Sequence, residues 1–275
     1  MQLPKRLRSG PPAVLRVTGR HVGAFSMLHI IFGVLHFAES RGHSVEINLQ
    51  AGPYFDQERG TNWWSYYFEP SQIVFSSQNT NETETNELES LWRFARYGSS
   101  LSINAAHQVL SNLYVKDHIR AKVDEFTAQN FTQRHFIGVH YRGTDKVDQR
   151  DTGRPVEAVR VPYDYVFEHL ENYDTSSLFF VASDEAEFVT AMTERFGDRV
   201  LAYDAIRSQG GWGIHYEQRG SSPYQAGENA LVDCLLLWKC DHLVRTESAL
   251  SRFSSIFNLV LKPINLTDRY NRDRR

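Results

Sequence analysis

Apolar and polar residues alternate or recur at helical spacing along the first part of the chain. β-Branched residues at 13–18 predict a strand, apolar residues three and four apart over 25–41 predict a helix, and residues 45–49 predict a second strand. A strand, a helix and a strand in this order are typical of the start of a parallel α/β sheet.

Further along, the pattern breaks once and then resumes. Residues 76–89 are almost entirely polar, which predicts a solvated loop or the lead-in to a helix, and residues 102–130 predict one long helix. Strands are then predicted at 136–141, 178–182, 199–202 and 242–245, and helices at 163–173, 185–196, 228–239 and 250–257. The sequence therefore predicts two α/β domains, residues 1–130 and 131–275, with a ligand cleft between them and at the carboxyl ends of the second domain's strands.

Composition narrows the function classes. The formal net charge is −3, from 30 basic and 33 acidic side chains, so the chain has no global field that would hold nucleic acid or an anionic membrane. Its two cysteines, Cys234 and Cys240, lie in an apolar stretch and are too few for a disulfide framework or a thiolate metal site. No segment approaches the roughly 18 uninterrupted apolar residues of a membrane span, and no signal-peptide pattern is found, so we expect a cytoplasmic protein. On that basis the three Asn-x-Thr sequons, at Asn81, Asn130 and Asn265, are interpreted as chance.

The densest chemical signal is the segment 136–146, Phe-Ile-Gly-Val-His-Tyr-Arg-Gly-Thr-Asp-Lys. Its apolar start predicts a buried strand, and its end places polar residues at the carboxyl tip, where open α/β sheets bind ligands. The fork of Arg142 and the ammonium of Lys146 can grip a pyrophosphate, while Gly143 and Thr144 let backbone N–H groups approach it. A solvated loop at a polar strand end is the alternative.

This segment resembles the His-x-Arg-x-Thr-Asp-Lys motif of the alpha-1,6-fucosyltransferases, which the nodulation-factor and protein O-fucosyltransferases share in looser form. The matching residues are His140, Arg142, Thr144, Asp145, Lys146 and the following Val147. The resemblance implies that Arg142 contacts the β-phosphate of GDP-fucose and that His140 helps to hold the guanine nucleotide; Asp145 and Lys146 are further catalytic candidates. Eukaryotic members carry a second arginine where this chain has Gly143, which leaves the phosphate contacts to Arg142 and Lys146.

A catalytic carboxylate follows the motif in that family, in an acidic and then apolar run before a proline. Residues 157–163, Glu-Ala-Val-Arg-Val-Pro-Tyr, resemble that run if 148–156 are an insertion, which makes Glu157 the expected catalytic base. An alcohol acceptor needs such a base because it loses its proton as it attacks the anomeric carbon. Asp148 and Asp151 lie in the same loop and are alternatives, and an exposed acid before a helix is the structural interpretation of Glu157.

Two later segments resemble the remaining motifs of the family. Residues 179–185 end a buried strand with Ser-Asp-Glu, so that Asp184 is expected to flank the donor; without the resemblance it would be interpreted as a helix N-cap. Asp233 on a predicted helix would accept hydrogen bonds from the guanine ring, the alternative being a surface acid. Thr246 and Ser248 would sit against the pyrophosphate at the start of the last helix, although Ala249 replaces a second serine of the motif.

Two features of the amino-terminal half carry weaker signals. Residues 62–68 are unusually aromatic, and an acceptor platform for sugar rings and a core segment explain them equally well. The turn 19–23 matches neither a dinucleotide fingerprint nor a Walker loop, so we expect it to bring backbone close to the cleft, with Arg20 or His21 facing it.

The resemblance implies two facing Rossmann-like domains of the GT-B type, with an acceptor-side domain at 1–130 and a donor-nucleotide domain at 131–275. The leading hypothesis is an inverting glycosyltransferase that moves fucose from GDP-fucose to a glycan hydroxyl. We expect neither a metal nor a cofactor, since no Asp-x-Asp occurs. A transferase for another nucleotide sugar and a non-catalytic nucleotide- or glycan-binding protein are alternatives, and the missing glycine fingerprint disfavours a dinucleotide oxidoreductase. A homodimer is left open.

Overall fold

The computed structural model describes residues 13–75, 84–87, 94, 98–131, 135–144, 158–209 and 222–275. It has the predicted α/β fold, with a wholly parallel sheet in one part of the chain and a mixed sheet in the other. The chain divides into two compact units, Met1–Lys116 and Asp117–Arg275. The elements of the first unit are β1 (Ala13–Thr18), α1 (Ala24–Glu39), β2 (Ser44–Asn48), α2 (Trp64–Tyr67), β3 (Phe68–Glu69), β4 (Gln72–Val74), β5 (Glu84–Glu87), α3 (Ile103–Leu110) and β6 (Tyr114–Val115). Those of the second are α4 (Asp117–Asn130), β7 (Phe136–Tyr141), α5 (Tyr163–Leu170), β8 (Leu178–Ser183), α6 (Ala186–Phe196), β9 (Val200–Leu201), α7 (Pro223–Trp238), β10 (His242–Arg245), α8 (Ala249–Phe257), β11 (Pro263–Asn265) and α9 (Leu266–Asp273).

The first unit contains a sheet in the order β4-β2-β1-β5, in which β1 runs parallel to both neighbours and β4 is antiparallel to β2. The turn after β1 approaches the chain after β2 very closely. A Cβ atom at Gly19 would lie 2.3 Å from the carbonyl oxygen of Ala51, so only glycine fits there. The close backbone approach expected of the turn 19–23 is thus made to the unit's own backbone.

The aromatic segment 62–68 belongs to the core of the first unit. Trp63 and Trp64 are 1% and 0% exposed, and their indole N–H groups donate to the carbonyl oxygens of Ala51 (3.0 Å) and Pro70 (2.9 Å). Buried indole and phenol groups need such partners. Of the two interpretations, the structure favours the core segment.

The second unit contains a wholly parallel sheet in the order β11-β10-β7-β8-β9. β7 lies at its centre, and all six of its residues are buried. On one face, Val139 and Tyr141 pack in a cluster that includes Val166 and Phe188 from α5 and α6. On the other face β7 meets α7 so closely that a Cβ atom at Gly138 would lie 3.1 Å from Leu237.

Several elements differ from the predicted bounds. The helix predicted at 102–130 is two helices, α3 and α4, with β6 between them, and the predicted loop 76–89 includes β5. α7 begins at Pro223 and not near Glu228, because Ser222 and Gln225 form a capping box ahead of the proline. β11 and α9 were not predicted, so α8 is not the last helix.

The boundary between the units lies at 116/117, whereas the sequence predicted 130/131. The difference is α4, which packs against α7 of the second unit. Lys122 Nζ lies 2.5 Å from Glu228 Oε2, and His118 Nε2 lies 2.9 Å from the hydroxyl of Tyr224. Helical periodicity shows that α4 has a buried side but not which domain buries it.

No helix within the described ranges is both long and apolar enough to cross a membrane.

Candidate functional site

Three neighbouring strands of the second sheet end at the same edge with polar residues. The strand register places His140 of β7 level with Ala182 of β8 and with Arg245 of β10. The chain then continues into Arg142 after β7, Asp184 after β8 and Thr246 after β10. We refer to these three strand ends, with the start of α8, as the carboxyl edge. It is the edge at which open parallel sheets bind ligands.

Arg142 is held at this edge by both neighbouring strands. Its Nη1 lies 2.8 Å from Asp184 Oδ2, and its backbone N–H donates to Thr246 Oγ1 at 2.8 Å. The side chains of Arg142 and Asp184 are 19% and 10% exposed, so their ion pair is shielded from most of the solvent. A charged pair in such a place is strongly coupled, because water screens it poorly.

The carboxylate of Asp184 accepts hydrogen bonds from several groups at this edge. Besides Arg142, its carboxylate accepts from the backbone N–H of Gly143 at 2.9 Å and from the hydroxyl of Thr144. Burial acts to raise the pKa of Asp184, but the Arg142 charge and these two donors outweigh burial and hold the pKa below its usual value. The N-cap interpretation of Asp184 is wrong, because Glu185 occupies the N-cap position of α6.

His140 is 4% exposed, and its Nδ1 has no hydrogen-bond partner within the described ranges. Burial lowers its pKa to about 3, and the charges of Arg142 and Arg245 act in the same direction, against Asp184. The imidazole is therefore neutral at physiological pH, with one ring nitrogen donating and the other accepting. A neutral ring suits contact with a nucleotide without adding a charge.

Asp233 lies on α7 and is 6% exposed, which rules out the interpretation as a surface acid. Its Oδ2 lies 3.6 Å from Arg207 Nη1, and its Oδ1 has no partner in the described part of the chain. Arg207 also donates to the backbone oxygens of Ser183 and, at 2.9 Å, Tyr203. Burial raises the pKa of Asp233 to about 6, with Arg207 opposing the shift.

Thr246 and Ser248 both lie at the carboxyl edge, but their hydroxyls have structural partners. Thr246 accepts from Arg142 as described, and its backbone N–H donates to the carbonyl oxygen of His140 at 2.9 Å. Ser248 is the N-cap of α8, where its Oγ accepts from the N–H of Leu250 at 3.2 Å. The predicted place of Ser248 at a helix start is therefore correct, and its hydroxyl hydrogen remains available to a ligand.

A second network lies beside Arg142 and was not predicted. The buried carboxylate of Glu185 accepts from Arg160 Nη2 at 2.6 Å and from the hydroxyl of Tyr163 at 2.7 Å, and Arg160 Nη1 donates to the Gly143 oxygen at 2.6 Å. A Cβ atom at Gly143 would lie 2.0 Å from Glu185 Oε2. A larger residue at this position, such as the second arginine of the motif that the chain resembles, would require Glu185 to move. Sequence spacing gave no sign that these residues, far apart in the chain, share one carboxylate.

The predicted catalytic residues Asp145, Lys146 and Glu157, and the alternatives Asp148 and Asp151, lie outside the described residues. Their roles stay predictions. Within the described ranges no three His, Cys, Asp or Glu side chains lie together as a metal site.

The carboxyl edge combines an oriented guanidinium, a neutral imidazole, a buried carboxylate with one unpartnered oxygen, and the N-terminus of a helix. Guanidinium groups and helix starts bind phosphate, and a carboxylate matches the paired N–H donors of a base. The fold and site thus define an α/β protein equipped for a nucleotide at the carboxyl ends of its strands.

Comparison with known proteins places the chain within this class. The model of the nodulation protein Z (NodZ) family matches residues 100–271, more than half of the chain. The chain belongs to the NodZ family, as the sequence resemblance implied. Among curated protein sequences none matches it.

Solved structures of the same fold include known fucosyltransferases. Fucosyltransferase NodZ from Bradyrhizobium is 16% identical with a TM-score of 0.64, over 94% of this chain and 96% of that one. NodZ alpha-1,6-fucosyltransferase soaked with GDP-fucose is 15% identical with a TM-score of 0.59, over 90% and 93%. A variant of Arabidopsis thaliana FUT1 in complex with GDP is 13% identical with a TM-score of 0.53, over 94% and 72%. The predicted α/β fold of the GT-B fucosyltransferases is thereby confirmed, whereas the facing arrangement of two domains stays a prediction.

Replacing Gly143 by alanine should disrupt the carboxyl edge. The new Cβ would lie 2.0 Å from Glu185 Oε2, so Glu185 must move and release Arg160 and Tyr163. We expect the melting temperature, measured by calorimetry, to fall by roughly 5 °C or more.

Gly23→Ala is the matched control, because a Cβ there meets no atom within 4 Å. Glu185→Ala should remove most of the additional effect of Gly143→Ala when the two are combined. A melting temperature of Gly143→Ala equal to that of the control would contradict the close approach.

Proposed function

We propose that the protein transfers fucose from GDP-fucose to a hydroxyl group of a glycan acceptor, with inversion at the anomeric carbon and without a metal ion. As a member of the NodZ family it is a glycosyltransferase of the fucosyltransferase class, as the sequence predicted. The observation that carries the proposal is that Arg142, Asp184 and Thr246, far apart in the chain, meet at one sheet edge together with His140. Arg207 connects the buried Asp233 to the end of β8 beside them.

In this proposal Arg142 stabilises the leaving group. Cleavage of the bond between the sugar and the diphosphate leaves negative charge on the β-phosphate, and the guanidinium neutralises it. Asp184 and Thr246 hold Arg142 in place at the carboxyl edge, so little reorganisation would be needed when the charge develops. Lys146 of the same motif would supply a second cation in place of a divalent ion.

Asp233 would recognise the base. The N1–H and the exocyclic amine of guanine point at one carboxylate, and Asp233 is buried with Oδ1 unpartnered within the described ranges. A buried acceptor pair discriminates strongly against a base that lacks the matching donors. This supports guanine over uracil or adenine.

The acceptor would be activated by Glu157. Its carboxylate takes the proton of the attacking hydroxyl, the new bond forms between that oxygen and the anomeric carbon, and the bond to the diphosphate breaks on the opposite face. Asp145 is a further candidate from the motif. We also propose that the first unit binds the acceptor.

The cysteines Cys234 and Cys240 are buried and form no disulfide. Free thiols are typical of cytoplasmic proteins, which supports the proposal that the protein acts in the cytoplasm.

A panel of nucleoside diphosphates tests the donor. Isothermal titration should show GDP binding at least about tenfold more tightly than UDP or ADP, because only guanine presents both donors to Asp233. Equal affinities would reject GDP-fucose as the donor. A preference for UDP or ADP would favour a transferase for another nucleotide sugar.

Glu157→Gln separates an enzyme from a binding protein. The amide cannot accept the acceptor's proton, so transfer of fucose should fall by about a hundredfold or more while GDP affinity stays within about twofold of the parent. Asp148→Asn and Asp151→Asn are the matched controls, since both acids were alternatives for the base. Full activity of Glu157→Gln with loss in either control would move the base to that residue.

The pKa of Asp233 predicts how base binding depends on pH. Below about 6 the folded protein protonates this carboxyl, and a protonated acid no longer presents two acceptors to guanine. Guanosine, which carries no phosphate, should therefore bind about tenfold more weakly at pH 5 than at pH 7.5. Asp233→Asn should bind weakly at both pH values; an unchanged pH dependence in that variant would assign the titration to another group.

A further inference from the structure

Arg245 is a buried cation that neither the sequence motifs nor the site described above uses. It is the last residue of β10, level with His140 on β7, and is 8% exposed. Its Nη1 lies 3.5 Å from Ser251 Oγ in the first turn of α8 and 3.4 Å from the backbone oxygen of Thr246. The guanidinium therefore lies at the carboxyl edge, beside the start of α8.

The charge of Arg245 is incompletely compensated. Within the described ranges its ion-pair partner is Glu247, whose Oε2 lies 3.2 Å away on a side chain that is 41% exposed and also accepts from Asn265 at 2.8 Å. The Nε of Arg245 has no hydrogen-bond partner there. Burial lowers the pKa of Arg245; Glu247 and, more weakly, Asp268 oppose the shift, and the charge of Arg252 adds to it. A guanidinium with an unpartnered buried N–H is costly to the fold.

The helix start beside Arg245 adds to the free-energy cost of burying its charge. The N-terminus of a helix carries partial positive charge, so a cation beside the start of α8 is unfavourable and an anion is favourable. His140, across from Arg245 in the sheet, also has an unpartnered ring nitrogen, Nδ1. Two unpartnered nitrogens and a helix start at one place match an anionic ligand.

Within the described residues, the motif segment that follows β7 supplies one guanidinium, that of Arg142, to the carboxyl edge. Glu185 occupies the space at Gly143, and two other guanidinium groups near the edge are already bound, Arg160 to Glu185 and Arg207 to Asp233. Arg142 is therefore followed by a glycine and not by the second arginine that eukaryotic members carry. Resting on the GDP-fucose donor proposed above, we propose that Arg245 is a donor-binding residue that contacts the diphosphate, supplying from β10 the second guanidinium that the β7 motif lacks.

Calorimetric titration with GDP and with guanosine tests this role, because the two ligands differ by the diphosphate. Arg245→Met keeps much of the side chain's length and removes its charge. We expect it to weaken GDP binding by about tenfold or more and guanosine binding by less than about twofold. The matched control is Arg195→Met. Arg195 lies on α6 and forms an exposed ion pair with Glu171, so its replacement should change neither affinity.

Two further variants separate ligand binding from a structural role. Arg245→Lys keeps the charge but not the fork, so it should weaken GDP binding by a smaller factor than Arg245→Met and leave guanosine unaffected. Glu247→Gln removes the competing carboxylate, so GDP should bind as tightly as before or more tightly. If Glu247→Gln weakens GDP as much as Arg245→Met does, the arginine serves the ion pair and the inference is overturned.

The remaining outcomes are equally decisive. Unchanged GDP affinity in Arg245→Met overturns the inference, and so does an equal loss for GDP and guanosine in Arg245→Met or Arg245→Lys. If the parent protein prefers another nucleoside diphosphate, the assignment of GDP fails, and the same comparison with that nucleotide and its nucleoside still decides the role of Arg245.

Discussion

The ion pair between Arg142 and Asp184 is the interaction on which the carboxyl edge depends. It joins the ends of β7 and β8, and Asp184 also binds the backbone of Gly143 and the hydroxyl of Thr144, so one carboxylate shapes the chain as it leaves the central strand. Loss of one partner from a largely buried pair costs about 3–5 kcal/mol, because it leaves the other charge in a poorly solvated place. The pair thus fixes a guanidinium at the carboxyl edge.

The arginines near this edge differ in how completely other side chains compensate their charges. Arg160 is bound to Glu185 and Gly143, and Arg207 lies between Asp233 and the backbone after β8. Arg245 has a weaker and more exposed partner. Cations with strong internal partners stabilise the site's shape, whereas a cation with incomplete compensation retains charge for a ligand.

The site also depends on close approaches at two glycines. At Gly138 the central strand meets α7, which carries Asp233, and at Gly143 the chain passes the carboxylate of Glu185. Both contacts bring a helix or a side chain within reach of the edge. The glycine at position 143 is therefore linked to the packing of Glu185.

Much of the second unit was determined by the sequence alone. Apolar runs with polar ends predicted β7, β8 and β10, and motif order predicted that His140, Arg142, Asp184 and Asp233 belong together, because parallel strands present their carboxyl ends at one edge. Prediction was weaker where the hydrophobic pattern shows that an element has a buried side but not which other segment covers it. It joined α3 to α4, assigned α4 to the other domain, and could not choose between core and sugar platform for residues 62–68.

The tertiary structure alone decided which charges are paired. Glu185 accepts hydrogen bonds from Arg160 and Tyr163, and Arg245 lies beside the start of α8. No local sequence pattern predicts these contacts. The physical reason is that strand and helix periods are properties of neighbouring residues, whereas burial and charge compensation arise between segments that the chain brings together only when the sheet assembles.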